Sequence, residues 1–218
     1  MNVYFVSGMS ANCSVFDKLV LPEGFEKKYI EWYIPDPDES LEEYSRKQAQ
    51  NVDASQPFIL VGYSLGGLIV QEMNKFVKPD KNILIASMKG LNEIPAMFRL
   101  GRIIRFARHF PIETIVQNKM VVDLFARLIY SARRDEASKY MTYTDAVYTK
   151  WALERILEWK PSVVCHNLYH IHGSRDQVFP VRNIKDAIVI KKGDHLMVIK
   201  RHKEVSKVLQ DILLGSIQ

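Results

Sequence analysis

The stretch that most limits how this chain can fold is Phe58-Ile59-Leu60-Val61-Gly62-Tyr63-Ser64-Leu65-Gly66-Gly67-Leu68-Ile69-Val70. After Pro57 it opens as an unbroken apolar run, the pattern of a strand buried on both faces. Gly62-x-Ser64-x-Gly66 then leads into helix-compatible text from Leu65 to Phe76. Glycines on either side of one serine let strand turn into helix in almost no distance. That turn pushes the Ser64 hydroxyl out at the carboxyl edge of a sheet. The helix that follows would aim its free N–H groups and positive end at the same place. A bare Gly-x-Ser-x-Gly occurs by chance, but one set between a buried strand and a helix is specific.

The chain on either side alternates in the same way. Asn2 to Gly8 reads as a short buried strand, Met9 to Asn12 as a polar loop, and Ser14 to Val20 as a short helix. Tyr29 to Ile34 predicts a second strand, closed by Pro35-Asp36-Pro37-Asp38. Ser40 with Glu43 three residues later forms a capping box, so 41–51 is expected to be helical. Lys81 to Ser87 is another apolar strand. From Met88 to about Lys160 the text is amphipathic and helical, broken by Pro95, Pro111 and Pro161. Strands resume at Asn167 to Gly173 and at Ala187 to Ile190, and a helix runs from about Lys203 to Leu214. The expected fold is α/β: a mostly parallel sheet of about six strands flanked by helices. Residues 1–87 and 161–218 would form its core, and 88–160 a helical cap or lid inserted at the end of a strand.

A chain of 218 residues suits one compact domain. Two cysteines, Cys13 and Cys165, give no disulfide framework, which fits a reducing cytoplasm. The amino terminus lacks the basic region and apolar core of a signal peptide. No run approaches the ~20 apolar residues of a membrane span. The expectation is a cytoplasmic protein without stable membrane insertion. Of the net charge of +5, all sits between Met88 and Lys160, where 13 basic residues face 8 acidic ones. This excess is too mild, and too interleaved with apolar residues, to argue for nucleic acid.

Three motifs together resemble the α/β-hydrolase family, whose chain order is serine, acid, histidine. Ser64 lies in the sharp turn between the buried strand and the helix. Asp176 lies in His172-Gly173-Ser174-Arg175-Asp176-Gln177-Val178-Phe179-Pro180, which matches the family's His-Gly-x-x-Asp-x-x-x-Pro turn after the next-to-last strand. His195 follows the last strand in Gly193-Asp194-His195. The resemblance covers nearly the whole chain outside 88–160. Within that range, the run Trp151 to Trp159 is similar to small bacterial serine hydrolases of unassigned substrate.

The resemblance implies roles. Ser64 would be the nucleophile, His195 its base, and Asp176 the group that orients the imidazole. The backbone N–H groups of Leu65 and Met9 would hold the oxyanion. No cofactor and no metal is implied. Two departures stand out. Ser7-Gly8 replaces the family's frequent His-Gly, and the first expected strand corresponds to the family's third, so a smaller sheet without the leading hairpin is expected. The implied activity is cleavage of an ester or thioester of a small or acyl-type molecule through an acyl-enzyme, as in a carboxylesterase or thioesterase. A serine argues against the dehalogenase and epoxide hydrolase branches, which use aspartate. The same three residues serve small amidases, aminopeptidases and C–C hydrolases, and some relatives keep them in ligand-sensing or interaction proteins.

Rival readings attach to particular residues. Asp194 adjoins His195 and competes with Asp176 as the orienting acid. His166, His170 and His172 invite a metal, although no cysteine or carboxylate completes a tetrahedral set nearby. Arg99, Arg102, Arg105 and Arg108 form a slanting band on one helix. That band is either a solvated face or a contact for an anionic part of the substrate or for a membrane surface. Tyr140, Tyr143, Tyr148, Trp151 and Trp159 either line an acyl pocket or form the cap's own core.

Overall fold

The apolar run that leads into Ser64 becomes the middle of the sheet. In the computed structural model, which describes residues 1–95, 139–140 and 145–217, β3 (Phe58–Tyr63) is buried along its whole length. On one side of it lie β1 (Asn2–Val6) and β2 (Glu26–Ile30). On the other lie β4 (Lys81–Ile85), β5 (Leu168–Gly173) and β6 (Ile188–Ile190). The six strands run in the order β2-β1-β3-β4-β5-β6, and every pairing is parallel. Parallel strands need crossovers, and helices on both faces supply them.

Alternating side chains feed two cores. Tyr4, Val6 and Leu60 pack against α1 (Leu41–Ala49), α2 (Leu65–Met73) and α3 (Ala146–Glu158). Val3, Phe5, Ile59 and Val61 face the opposite layer, built from a 3₁₀ turn (Cys13–Phe16), α4 (Met197–Lys200) and α5 (His202–Leu213). The expected capping box is present: the Ser40 hydroxyl accepts from the Glu43 N–H, and the Glu43 carboxylate accepts from the Ser40 N–H at 2.9 Å. Such a cap contributes about 1 kcal/mol to helix stability.

The second strand starts three residues earlier than expected and ends four residues earlier. Glu26-Lys27-Lys28 carries no apolar pattern, but β2 is at the edge of the sheet, with one row of backbone groups and much of its side-chain surface in water. Charged residues are welcome there and discourage pairing with another chain. The short helix expected from Ser14 is a single 3₁₀ turn, and β1 ends at Val6 rather than Gly8.

Within the range 88–160, α3 buries Tyr148, Trp151, Ala152 and Ile156 in the same core as Tyr44 and Leu68. Trp151 stacks obliquely on Tyr44 at 4.6 Å between ring centroids, and its Nε1 donates to the Glu39 carbonyl at 2.6 Å. The arginine band Arg99–Arg108 and Tyr143 lie outside the described residues, as does most of the expected cap. No described helix is long and apolar enough to cross a membrane.

This topology fixes where a site can form. The connection from β1 crosses to β2, whereas that from β3 crosses to β4. The chain segments leaving the carboxyl ends of these two neighbours therefore part in opposite directions and open a crevice, the usual ligand position in an open α/β sheet. Gly8 and Met9 stand on one side of it and Ser64 on the other.

Candidate active site

Ser64 sits in a backbone conformation that side-chain-bearing residues avoid, with φ 53° and ψ −120°. Strain of this kind costs on the order of 1–3 kcal/mol and persists only where its surroundings impose it. They do so here. The Ser64 N–H donates to the Ile85 carbonyl at 3.0 Å, and its own carbonyl accepts from the Gly67 N–H at 2.9 Å and the Ser87 hydroxyl at 2.7 Å. Glycine is required at position 66 because a Cβ there would strike the Val6 and Ser7 carbonyls. The start of α2 can thus lie directly on the end of β1.

The hydroxyl so presented meets the other two expected residues. His195 Nε2 lies 3.0 Å from Ser64 Oγ, and His195 Nδ1 lies 2.8 Å from Asp176 Oδ2. The second oxygen of Asp176 accepts from the N–H groups of Val178 and Phe179, both at 2.9 Å. Both Asp176 and His195 are buried. Burial by itself would raise the Asp176 carboxyl, but the adjacent His195 imidazole and its hydrogen bond, His172 and the Phe179 amide outweigh it and hold the group below its ordinary value. The Tyr63 hydroxyl donates to the His195 carbonyl at 3.0 Å and steadies the loop that carries the imidazole. Asp194 turns elsewhere, pairing with Lys200 at 2.6 Å.

The first loop is built to stay in place. Ser7 accepts from Trp32 Nε1 at 2.7 Å and donates to the Ala11 carbonyl at 2.5 Å. The Ser10 N–H donates to the Tyr148 hydroxyl at 3.2 Å, and the Asn12 N–H to the Tyr140 carbonyl at 2.8 Å. A Cβ at Gly8 would come within 3.0 Å of Ser64 Cβ, so the loop closes tightly on the serine. Met9 borders the same cavity as Ser64 and His195. Leu65 opens α2, and a first-turn N–H has no carbonyl one turn back to satisfy it.

The histidines on β5 behave as structural groups. His172 Nε2 lies 2.7 Å from the Phe179 carbonyl, so it carries the proton, leaving Nδ1 to accept from His170 Nε2 at 3.3 Å. Burial lowers both; for His170, with His172 and Lys89 adding to the effect, the value falls to about 3. His166 lies on the exposed stretch before β5. Among the described residues no group of three or more potential ligands could hold a metal ion.

Of the aromatic run, Tyr140 borders the cavity, whereas Tyr148, Trp151 and Trp159 are core residues. Sequence reasoning missed Ser87, Val15, Leu196 and Ile199, which meet the site by packing between distant parts of the chain and carry no motif.

Residues 21–208 match the model of a family described as "Alpha/beta hydrolase family". No curated protein matches the chain. Solved structures of similar fold include MenH from S. aureus, with a TM-score of 0.74 at 14% identity, covering 99% of this chain and 94% of that one. A putative lipase (lip1) from Acinetobacter baumannii AYE gives 0.71 at 13% identity, covering 98% and 83%. A structure from work on carboxylesterases of the thaumarchaeon Nitrososphaera gargenis gives 0.69 at 18% identity, covering 98% and 89%. At these identities the likeness is one of fold.

Proposed function

The chain belongs to the alpha/beta hydrolase family, and from that premise we propose that it is a serine hydrolase cleaving an ester or thioester of a small molecule through an acyl-enzyme on Ser64. The observation that carries the reading is the continuous hydrogen-bonded path from Ser64 Oγ through His195 to Asp176, at 3.0 and 2.8 Å. Fold alone would not choose the chemistry, because this architecture hosts many.

Each group has a step. His195 Nε2 takes the Ser64 proton as Oγ attacks the substrate carbonyl carbon. The carbonyl electrons move to oxygen, and the N–H groups of Leu65 and Met9 receive the negative charge; one such donor is worth about 3–4 kcal/mol in the transition state. Collapse expels the alcohol or thiol, which takes the proton from His195. Water then attacks the acyl group with His195 again as base, the acid leaves, and Ser64 is restored. Asp176 stays ionised throughout, as its lowered pKa favours, and keeps the Nδ1 proton on the side facing away from the serine. General acid–base transfer of this kind contributes roughly 10²–10⁴-fold.

The thiols are poor rivals for the nucleophile. Burial, with Glu31 adding to it, pushes Cys13 up to about 12, and burial with Glu72 pushes Cys165 to about 11, so neither forms thiolate at neutral pH.

A fluorophosphonate probe applied to wild type, Ser64→Ala and His195→Ala tests the reading. Wild type should label rapidly, His195→Ala at least a hundredfold more slowly, and Ser64→Ala not at all. Labelling of Ser64→Ala at the wild-type rate would overturn it.

A further inference from the structure

The cavity beside Ser64 has walls supplied by the core of the fold. Met9, Ala11 and Val15 come from the loop and 3₁₀ turn after β1; Leu196 and Ile199 come from the segment after His195. Ala11, Val15 and Leu196 are buried, so these walls are set by packing. Among the described lining residues no side chain bears a fixed charge, and the Tyr63 hydroxyl is turned to the His195 carbonyl. The free space is about 20 Å³, enough for one or two water-sized groups.

From these walls we infer that the substrate places a short, uncharged aliphatic group beside the bond to be cut, and that Val15 and Ile199 set its permitted length. The inference rests on Ser64 as nucleophile and adds the chemistry of the group next to it. A charged or strongly polar group here would leave water without a partner, which is costly. An alkyl group gains about fourfold in kcat/KM for each methylene buried. That gain ends where the chain meets a packed wall, since overfilling forces side chains off their preferred rotamers. By this measure the group has roughly one or two carbons. One determinant of specificity therefore lies in the core, between the two segments that also carry Met9 and His195.

Both Ser64 and His195 border the cavity, so the alkyl group has two sources, the acyl chain or the alcohol. Two ester series separate them: acyl chains from acetyl to octanoyl on p-nitrophenol, and alcohols from methyl to octyl on acetate, followed by proton release. In one series kcat/KM should rise over the first carbons and then fall at least tenfold; that series names the source. Val15→Ala and Ile199→Ala should each shift the fall one or two carbons longer, and Ile199→Phe should bring it forward. Ile199 is only partly buried, so its two variants carry the test if Val15→Ala does not fold. A fall at the same chain length in every folded variant overturns the inference, as does a preference for a hemisuccinate over a propionate ester. Fluorophosphonate labelling of wild-type Ser64 is read alongside. Its absence overturns the serine reading and this inference together, whereas labelling with an unmoved length limit overturns the inference alone.

Discussion

Asp176 is the residue on which the geometry of the site turns. Three donors converge on its carboxylate, and the loss of its charge would leave His195 free to adopt the wrong tautomer. Asp176→Asn is expected to lower kcat about 10⁴-fold with little change in KM, measured on any ester the wild type cleaves. Its lowered pKa is also a statement about stability. The contribution is present above the ordinary value of about 4 and is lost as pH falls through the lower folded-state value. His170 adds an earlier loss on the acid side. Its value drops from 6.5 to about 3, so across that window the unfolded chain takes up a proton that the native one refuses. Stability should therefore rise with pH from about 3 to 6.5. His170→Phe is expected to flatten this rise by up to about 1.4 kcal/mol per pH unit, read from urea midpoints across that range. A slope as steep as wild type's would show that His170 does not titrate as described.

At the scale of elements, α2 holds more than the serine at its start. Its Gln71 side chain donates to the Met88 carbonyl at 2.9 Å, where the chain leaves β4 for the range expected as a cap. Its neighbour Glu72, also buried, accepts from Trp159 Nε1 at 2.9 Å and Ser162 Oγ at 3.2 Å, where the chain returns. Lys75 completes the set at 2.6 Å. Glu72→Ala would strand the Trp159 N–H in the core, at a cost of about 1–3 kcal/mol. Thermal unfolding should come roughly 2–12 °C earlier. An unchanged midpoint would mean the anchor contributes nothing. The same scale shows what the sequence made legible. The β3–α2 unit and α1 could be read because each carries its own signal, a buried run with glycines or a capping box. The second strand could not, because an edge strand half in water loses the apolar pattern that marks the others. The 3₁₀ turn at Cys13–Phe16 is too short to show a period.

For the whole molecule, the order β2-β1-β3-β4-β5-β6 gathers the site. It brings the ends of β1, β3, β5 and β6 to one edge, so that Ser64 meets His195 across 131 residues of chain. Ser64, Asp176 and His195 were each recognisable because each lies in a local turn of characteristic composition. The cavity walls were not: Val15, Leu196 and Ile199 are ordinary apolar residues whose meeting is a property of the packed layers. The same holds for the buried anchors of the first loop, where Trp32 and Tyr148 reach Ser7 and Ser10 from other elements. The central claim is that this assembly makes Ser64 a nucleophile that carries the acyl group between two steps. It is tested most directly by mixing the protein with excess p-nitrophenyl ester, quenching in acid within milliseconds, and weighing the intact chain. The expected result is a burst of about one p-nitrophenol per chain and a mass gain of one acyl group, mapped by peptide digestion to Ser64. Turnover with no burst and no adduct in wild type, together with the same rate in Ser64→Ala, would contradict it.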